Sequence, residues 1–377
     1  DLLCMASMPS YDPNSFSDGI GRTEWRTLSE DPRKPLLNKT LNALYPPGST
    51  IKPMVALALQ QHGIRPEETV FCPGGYRLGN RFFRCLGRHG SMNMHRAIAK
   101  SCNTYFYAMG NRIGYDRIAP MARMLGLGQK FDLPVVSQSF GTVPDSGWKR
   151  RRYETNRRLI ERPDWTASDT LNASIGQGFL IVKPLQRAVM SARIASGRND
   201  QPLLIGAHTE PAPMLNIPQA HLDAVRGGMW EVVNGDGTAG ASRLNIPGIE
   251  MCGKTGTAQV RRLSASASRG QGGEWRFRDH GLFVFFAPFD KPRYAGAVVI
   301  EHGMGGARAA APVAKDVLTY LFDRPAALKR LAELETEWGG TLQERTARRA
   351  AAIEAAARSA AAAAAAPPPI VPAPIPR

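Results

Sequence analysis

The apolar positions gather into a few dense runs separated by long polar stretches punctuated by proline and glycine. The densest run is Met54-Val55-Ala56-Leu57-Ala58-Leu59. A segment that is apolar all round predicts a helix buried on every side, and Gly63 after His62 is a natural stop for it. Further helices are expected over 91–100, 115–126, 185–195, 219–233 and 311–322, the last with Pro312 in its first turn. In 115–126, Ile118, Met121, Ala122 and Leu125 share one face. Strand signals come at the ends of the chain: residues 1 to 8, then Met251–Val260, Leu282–Ala287 and Tyr294–Ile300. The last two, split by Pro288-Phe289-Asp290-Lys291-Pro292, read as an antiparallel hairpin. Stretches 15–47, 64–90, 135–170 and 200–218 read as mostly irregular. Strands at both ends and helices between them make an α+β plan, with an antiparallel sheet and a helical cluster packed on it.

The pattern changes after Asp323. Residues 326–366 are rich in Ala, Arg and Glu and end in an alanine run, and 367–377 are Pro-rich. A marginal helix followed by a disordered, extended tail is expected. This gives one domain over 1–323 and an appended segment over 324–377. The chain opens at Asp1-Leu2-Leu3-Cys4 as though in mid-strand, so it is expected to be a fragment of a longer protein. It shows no basic-then-apolar leader and no run of about 18 apolar residues.

The formal charge is +16 over 377 residues. Part of it is local: Lys149, Arg150, Arg151, Arg152, Arg157, Arg158 and Arg162 face only Glu154 and Glu161 within 149–162. Such a cluster fits either an anionic partner or a solvated basic loop. No ribonucleoprotein box or C2H2 spacing accompanies it, so nucleic acid is not an expected partner.

Candidate chemistry begins at Tyr45-Pro46-Pro47-Gly48-Ser49-Thr50-Ile51-Lys52. Two prolines and a glycine place Ser49 at the start of the buried helix. Lys52 follows three residues later, on the same face. A hydroxyl needs a base to act as a nucleophile, and a neutral amine one turn away can be that base. Ser101-Cys102-Asn103 fits S-x-N, and Lys254-Thr255-Gly256 fits K-T-G on an expected strand. The three motifs together, in this order, are the signature of serine enzymes that react with penicillins. Ser101 and Asn103 can relay a proton and bind an amide. Lys254, Thr255 and Thr257 can hold a carboxylate, while Gly256 lets the strand backbone approach. The amides of Ser49 and Thr257 are the expected oxyanion hole.

Of the five cysteines, Cys72, Cys85 and Cys102 combine with His89 in a C-x12-C-x3-H-x12-C pattern. Three thiolates and an imidazole form a structural zinc set. Two other readings are a Cys72–Cys85 disulfide, with Cys102 buried and His89 on a surface loop, and simple free thiols. A metal on Cys102 would hold the loop between Ser101 and Asn103 from behind. Cys4 and Cys252, beside expected strands, read as small buried residues.

Beyond the three motifs, Tyr45–Thr50, Ser101-Cys102-Asn103-Thr104-Tyr105-Phe106-Tyr107, Ile175-Gly176-Gln177-Gly178 and Gly253–Val260 resemble class B penicillin-binding proteins. Within that class the elongation-type penicillin-binding protein 2 is the most similar, over about residues 1–323. The resemblance implies the penicillin-binding, β-lactamase-like transpeptidase fold. It also implies a D,D-transpeptidase that acylates Ser49 with a peptidoglycan stem peptide ending in D-Ala-D-Ala, and that β-lactams acylate in turn. It implies a periplasmic domain of an inner-membrane-anchored protein acting in cell-wall elongation and cell shape, with a membrane glycan polymerase and a rod-complex scaffold as partners. No cofactor is expected for catalysis. Some relatives look as if they carry a metal in this same loop, with carboxylates matching Cys72 or Cys85. The alternatives are a D,D-carboxypeptidase or β-lactamase, and a non-catalytic penicillin-binding sensor or scaffold. A class A β-lactamase needs a glutamate that activates water. Glu154 and Glu161 are the nearby candidates, and neither has the expected E-x-x-L-N context.

Overall fold

The computed structural model describes residues 1–158, 160–206, 210–260 and 274–365. The chain divides into two compact units. The first comprises Asp1–Ser10 and Leu37–Phe322. The second comprises Tyr11–Leu36 and the described residues of Asp323–Arg377.

The first unit is built on the expected α+β plan. Three antiparallel strands, β5 (Cys252–Ala258), β6 (His280–Ala287) and β7 (Tyr294–Ile300), form the main sheet in the order β5-β6-β7. The register pairs Lys254 with Val284 and Gly256 with Leu282, so the K-T-G segment lies on an edge strand. The Pro184–Ser196 helix packs on β6 and β7. Its Ser191 hydroxyl donates to Phe285 O at 2.7 Å. The Gln219–Asn234 helix packs on β5 and on the Met94–Ala99 helix. That contact is close because residue 228 is glycine: a Cβ there would lie 3.0 Å from Ile98 Cβ.

At the centre is the helix that the apolar run predicts. Gly48–Ile51 forms a 3-10 turn and Lys52–Gln61 continues it as an α-helix. Every residue from Lys52 to Gln60 is buried. Burial of Met54, Val55, Leu57 and Leu59 at 0% exposure contributes about 1.5–3 kcal/mol for each of these side chains. The turn that carries Ser49 is therefore fixed to the part of the molecule hardest to open.

Several irregular segments turn out to be regular. Residues 64–90 hold three short strands and the start of a fourth: β1 (Val70–Cys72), β2 (Gly75–Leu78), β3 (Arg81–Arg84) and β4 (Gly90–Met92). β1 pairs with β4, and β2 with β3. Gly79-Asn80, with Gly79 at φ +56°, makes the two-residue hairpin turn between β2 and β3. Strands this short carry too few alternating positions to show a period of two. β4 takes the start of the helix expected at 91–100, which begins only at Met94. In 135–170 two helices form, Ser146–Thr155 and Ala167–Ser174. Their signals are caps: the Asp145 carboxylate accepts from Trp148 N, and Thr166 with Asp169 forms a capping box.

The opening residues are not a strand. They run extended, held by Leu2 N donating to Leu203 O at 2.8 Å and by Leu2 and Met5 packing against Leu41, Phe131 and Leu185. Cys4 is exposed rather than buried, whereas Cys252 is buried as expected. In the second unit Arg22–Glu30 is helical where 15–47 read as irregular. It buries no side chain, and its face carries only two large apolar residues, Trp25 and Leu28, too few to announce a helix. The same unit contains helices Arg324–Glu337 and Leu342–Ala365. The extended tail expected at 367–377 lies outside the described residues.

The basic cluster is split between two roles. Lys149 is only 5% exposed and donates to Asp169 Oδ2 and Asp164 O, both at 2.7 Å. Arg150, Arg151 and Arg152 are exposed on the Ser146–Thr155 helix.

Candidate active site

Three chain segments meet at Gly48, the residue before Ser49. Its amide donates to Gly176 O at 2.9 Å, and its φ of +52° needs glycine. A Cβ on Gly48 would lie 2.5 Å from Thr257 O, and one on Gly176 would lie 2.1 Å from Gly48 O. The serine turn is thus pressed between the Ile175–Gly178 loop and β5. On the same strand, a Cβ on Gly256 would come within 2.7 Å of Thr50 Cγ2. Gln177 Nε2 reaches Thr257 O at 3.5 Å across the same junction. Ser49 and Thr257 are both half-buried, open enough for a substrate to reach them.

Lys52 is 0% exposed. Its Nζ donates to Ser101 O at 2.7 Å and Asn103 Oδ1 at 2.7 Å, and lies 3.2 Å from Ser101 Oγ. Three acceptors around this one nitrogen hold it against the S-x-N loop. Ser101 holds a left-handed φ of +55°, uncommon for a residue with a side chain. Such a conformation costs on the order of 1–3 kcal/mol and persists only where surroundings enforce it. Here Ser101 N bonds Ile98 O at 3.2 Å and Cys102 N bonds Ala97 O at 2.9 Å. Asn103 then opens the Asn103–Ile113 helix.

Lys254 is also 0% exposed, with its Nζ donating to Thr255 O at 3.0 Å. Burial, and then the nearby Lys52 ammonium, push its amine well below the ordinary lysine range. The Thr255 hydroxyl lies 2.6 Å from that of Thr238. Thr238 and Gly176 were not singled out as functional residues in the sequence. Thr238 could have been found through its glycine-rich turn, Asn234-Gly235-Asp236-Gly237-Thr238, and Gly176 through the paired glycines of 175–178.

The four residues of the Cys/His pattern come together. Cys72 closes β1, Cys85 follows β3, His89 precedes β4, and Cys102 caps the Asn103–Ile113 helix. Their donor atoms all lie within 4.8 Å of one another. His89 Nδ1 is 3.6 Å from Cys72 Sγ and 3.5 Å from Cys85 Sγ, and Cys85 Sγ is 3.9 Å from Cys102 Sγ. All five cysteines are free, so the disulfide alternative does not form. A tetrahedral zinc with bonds of about 2.3 Å to sulfur and about 2.0 Å to nitrogen separates its ligands by roughly 3.5–3.8 Å. The cluster therefore fits zinc in both ligand type and size. A hydrogen bond from Cys102 holds the Cys85 thiol well below its usual range, against the effect of burial and helped by backbone amides that include Asn103 N. Asn103 N donates to Cys85 Sγ at 3.1 Å, linking the cluster directly to the S-x-N loop.

Glu154 and Glu161 are both exposed.

Residues 1–319 match the family described as penicillin binding protein transpeptidase domain. The chain is 33% identical over 342 residues to the peptidoglycan D,D-transpeptidase MrdA of Haemophilus influenzae, covering 86% of this chain and 51% of that protein. It thus spans about half the length of the curated relatives it matches. Among solved structures, Pseudomonas aeruginosa PBP2 in complex with WCK 5153 is 37% identical with a TM-score of 0.72, covering 85% of this chain and 68% of that one. PBP2 in complex with MreC from Helicobacter pylori is 32% identical with a TM-score of 0.74, covering 85% of this chain and 57% of that one.

Proposed function

The chain belongs to the penicillin-binding protein transpeptidase family, and from that premise we propose that it is the catalytic part of an elongation-type peptidoglycan D,D-transpeptidase. The observation that carries this reading is Lys52, buried one turn after Ser49 with its Nζ bound to Ser101 O and Asn103 Oδ1. Ser49 Oγ attacks the carbonyl between the terminal D-alanines of a stem peptide. Lys52, as a neutral amine, takes the hydroxyl proton, and Ser101 Oγ passes it to the departing amine. The Ser49 and Thr257 amides stabilise the oxyanion. Lys254, Thr255 and Thr257 hold the terminal carboxylate, and Asn103 holds the donor's amide. The edge position of β5 suits an extended peptide lying alongside it. A second stem's amine then attacks the acyl carbon, and the link to Ser49 Oγ breaks. β-Lactams enter by the first step and stay attached.

Cys72, Cys85, His89 and Cys102 are proposed to hold a structural zinc. When bound, the ion cross-links the β1–β4 loops to the start of the Asn103–Ile113 helix. The bond from Asn103 N to Cys85 Sγ carries that rigidity to the catalytic loop.

The exposure of Glu154 and Glu161, together with their lack of the E-x-x-L-N context, favours the transferase over a β-lactamase. We place the domain in the periplasm, anchored through chain outside residues 1–377, with a glycan polymerase and a rod-complex scaffold as partners. Among the described residues no helix is long and apolar enough to cross a membrane. The domain itself is assigned to 1–323, with Tyr11–Leu36 as an excursion from it that clusters with the segment after Phe322. The direct test supplies pentapeptide strands and analyses the products. Released D-alanine with cross-linked dimers, both lost in Ser49→Ala, support the transpeptidase. D-alanine without dimers makes the enzyme a carboxypeptidase.

A further inference from the structure

The basic cluster of 149–162 has no part in the chemistry above, and the Ser146–Thr155 helix that carries much of it has two unlike faces. Lys149 and Trp148 turn inward. Lys149 Nζ donates to Asp169 Oδ2 at 2.7 Å, and the Trp148 ring lies 5.5 Å from that of Phe179. Phe179 directly follows Gly178, the end of the loop whose Gly176 is pressed against the Ser49 turn. The helix is therefore anchored to the loop that supports the nucleophile.

The outer face is cationic. Successive helical positions are about 100° apart, so with Lys149 inward, Arg150, Arg151 and Arg152 fan across the other sides. All three are exposed, as are Arg157, Arg158 and Arg162 beyond the helix. The exposed carboxylates of 146–164 are Glu154, Glu161 and Asp164. Asp164 comes only within 3.7 Å of Arg150 Nη2, and the charge of Arg151 acts on the Asp145 cap. Among the described residues, Arg152, Arg157, Arg158 and Arg162 form no ion pair.

A row of solvated guanidinium groups suits a partner with spaced carboxylates, each able to take a bidentate pair. A lipid surface would call for apolar side chains beside the charges. Among the described residues, no large apolar side chain is exposed between Phe140 and Leu204. The transpeptidase substrate is a polymer of the right kind: every stem not yet cross-linked ends in a free carboxylate, repeated along the glycan strand. We infer that this arginine face binds stem-peptide carboxylates of the peptidoglycan strand, apart from the catalytic cleft, and holds the polymer while single stems enter and leave. Each exposed contact is weak, but the strand engages several at once, so avidity supplies the affinity. This rests on the transpeptidase reading and adds a second binding surface to it.

The test blocks the cleft first. The full chain is acylated with benzylpenicillin, and its binding to soluble, fluorescently labelled glycan strands with uncross-linked pentapeptide stems is read by anisotropy. The same strands with amidated stem carboxylates serve for comparison. The acylated wild type is expected to bind the acid strands about tenfold more tightly than the amidated ones, and less tightly as salt rises. Arg150→Gln/Arg151→Gln/Arg152→Gln should remove that preference while its acylation rate by benzylpenicillin, which also reports a folded site, stays at the wild-type value. Arg22→Gln/Arg26→Gln/Lys291→Gln removes the same charge from other exposed positions and should keep the preference. Equal binding of acid and amidated strands, equal losses in the two triple variants, or binding abolished by acylation overturns the arginine face while the transpeptidase reading stands. Binding of the acylated protein to phosphatidylglycerol vesicles in place of strands assigns the face to lipid and overturns it as well. Failure of benzylpenicillin to acylate the wild type overturns both.

Discussion

Lys52 Nζ and Asn103 Oδ1 lie 2.7 Å apart, joining the buried helix that begins after Ser49 to the first residue of the next helical wall. The contact ties the S-x-x-K and S-x-N motifs into one unit, with Ser101 O as the second anchor. Loss of either partner should therefore harm catalysis more than folding. Lys52→Met is expected to lower the acylation rate by benzylpenicillin about 10³-fold, within the range of a lost general base. Asn103→Ala should lower it about tenfold. Stopped-flow acylation read beside the melting temperature checks this. A rate loss fully accounted for by unfolding contradicts it.

Lys254 gives a pH dependence whose sign follows from its burial. Its folded amine is depressed by desolvation and by Lys52. Below the depressed value both folded and unfolded chains hold the proton, and the folded state bears the cost of a buried ammonium. Between that value and the ordinary lysine value of about 10.4, the unfolded chain binds more protons. Stability contributed by this group must then rise with pH across that window. Chemical denaturation at a series of pH values should show the rise, and Lys254→Met should flatten it. An unchanged slope in the variant refutes the assignment.

The glycine junction can be separated from ordinary glycine strain. Gly176 and Gly178 have nearly the same φ, +76° and +75°. A Cβ on Gly178 meets only Asn172 Cβ at 3.3 Å, whereas one on Gly176 strikes Gly48 O at 2.1 Å. Gly178→Ala should thus cost roughly 1 kcal/mol from backbone strain alone. Gly176→Ala should cost several times more and abolish acylation by pushing the Ser49 turn away from β5. Equal effects on melting and acylation would show that the close approach has no role.

The metal proposal is checked by elemental analysis of freshly purified protein. One zinc per chain is expected. His89→Ala should lower its affinity by about 10–100-fold or more, since a direct ligand matters at least as much as its outer partners. Chelation should lower both the melting temperature and the acylation rate, through the link from Asn103 N to Cys85 Sγ. Metal-free protein with full stability and rate would remove the zinc.

The domain proposal predicts that a chain ending at Asp323 keeps its acylation rate within about twofold, because each catalytic residue named here precedes that point. A larger loss would assign the following segment a part in the site.

What could be read in advance differed by the kind of signal. Ser49 and Lys52 were legible because a dense apolar run announces its buried helix, and Pro46-Pro47-Gly48 marks the start. The hairpin of β6 and β7 was legible because each strand is long and its turn carries two prolines. β1 to β4 were not, since three or four residues cannot display a period. The Ser146–Thr155 and Ala167–Ser174 helices were hidden in a polar stretch, although their Asp145 and Thr166 caps were written in it. Thr238 and Gly176 escaped because their importance is a contact with a distant segment. No local pattern records that Thr238 meets Thr255 or that Gly176 lies against Gly48. The four Cys/His residues stood out by type alone, but only the fold shows that their donor atoms lie within 4.8 Å of one another.

The central claim is that Ser49 forms a lasting acyl-enzyme. Intact mass spectrometry after incubation with benzylpenicillin, followed over hours for the wild type and Ser49→Ala, tests it most directly. A stable one-to-one adduct on the wild type and none on Ser49→Ala is the predicted result. An adduct that persists on Ser49→Ala, or one that clears from the wild type within seconds, would contradict it.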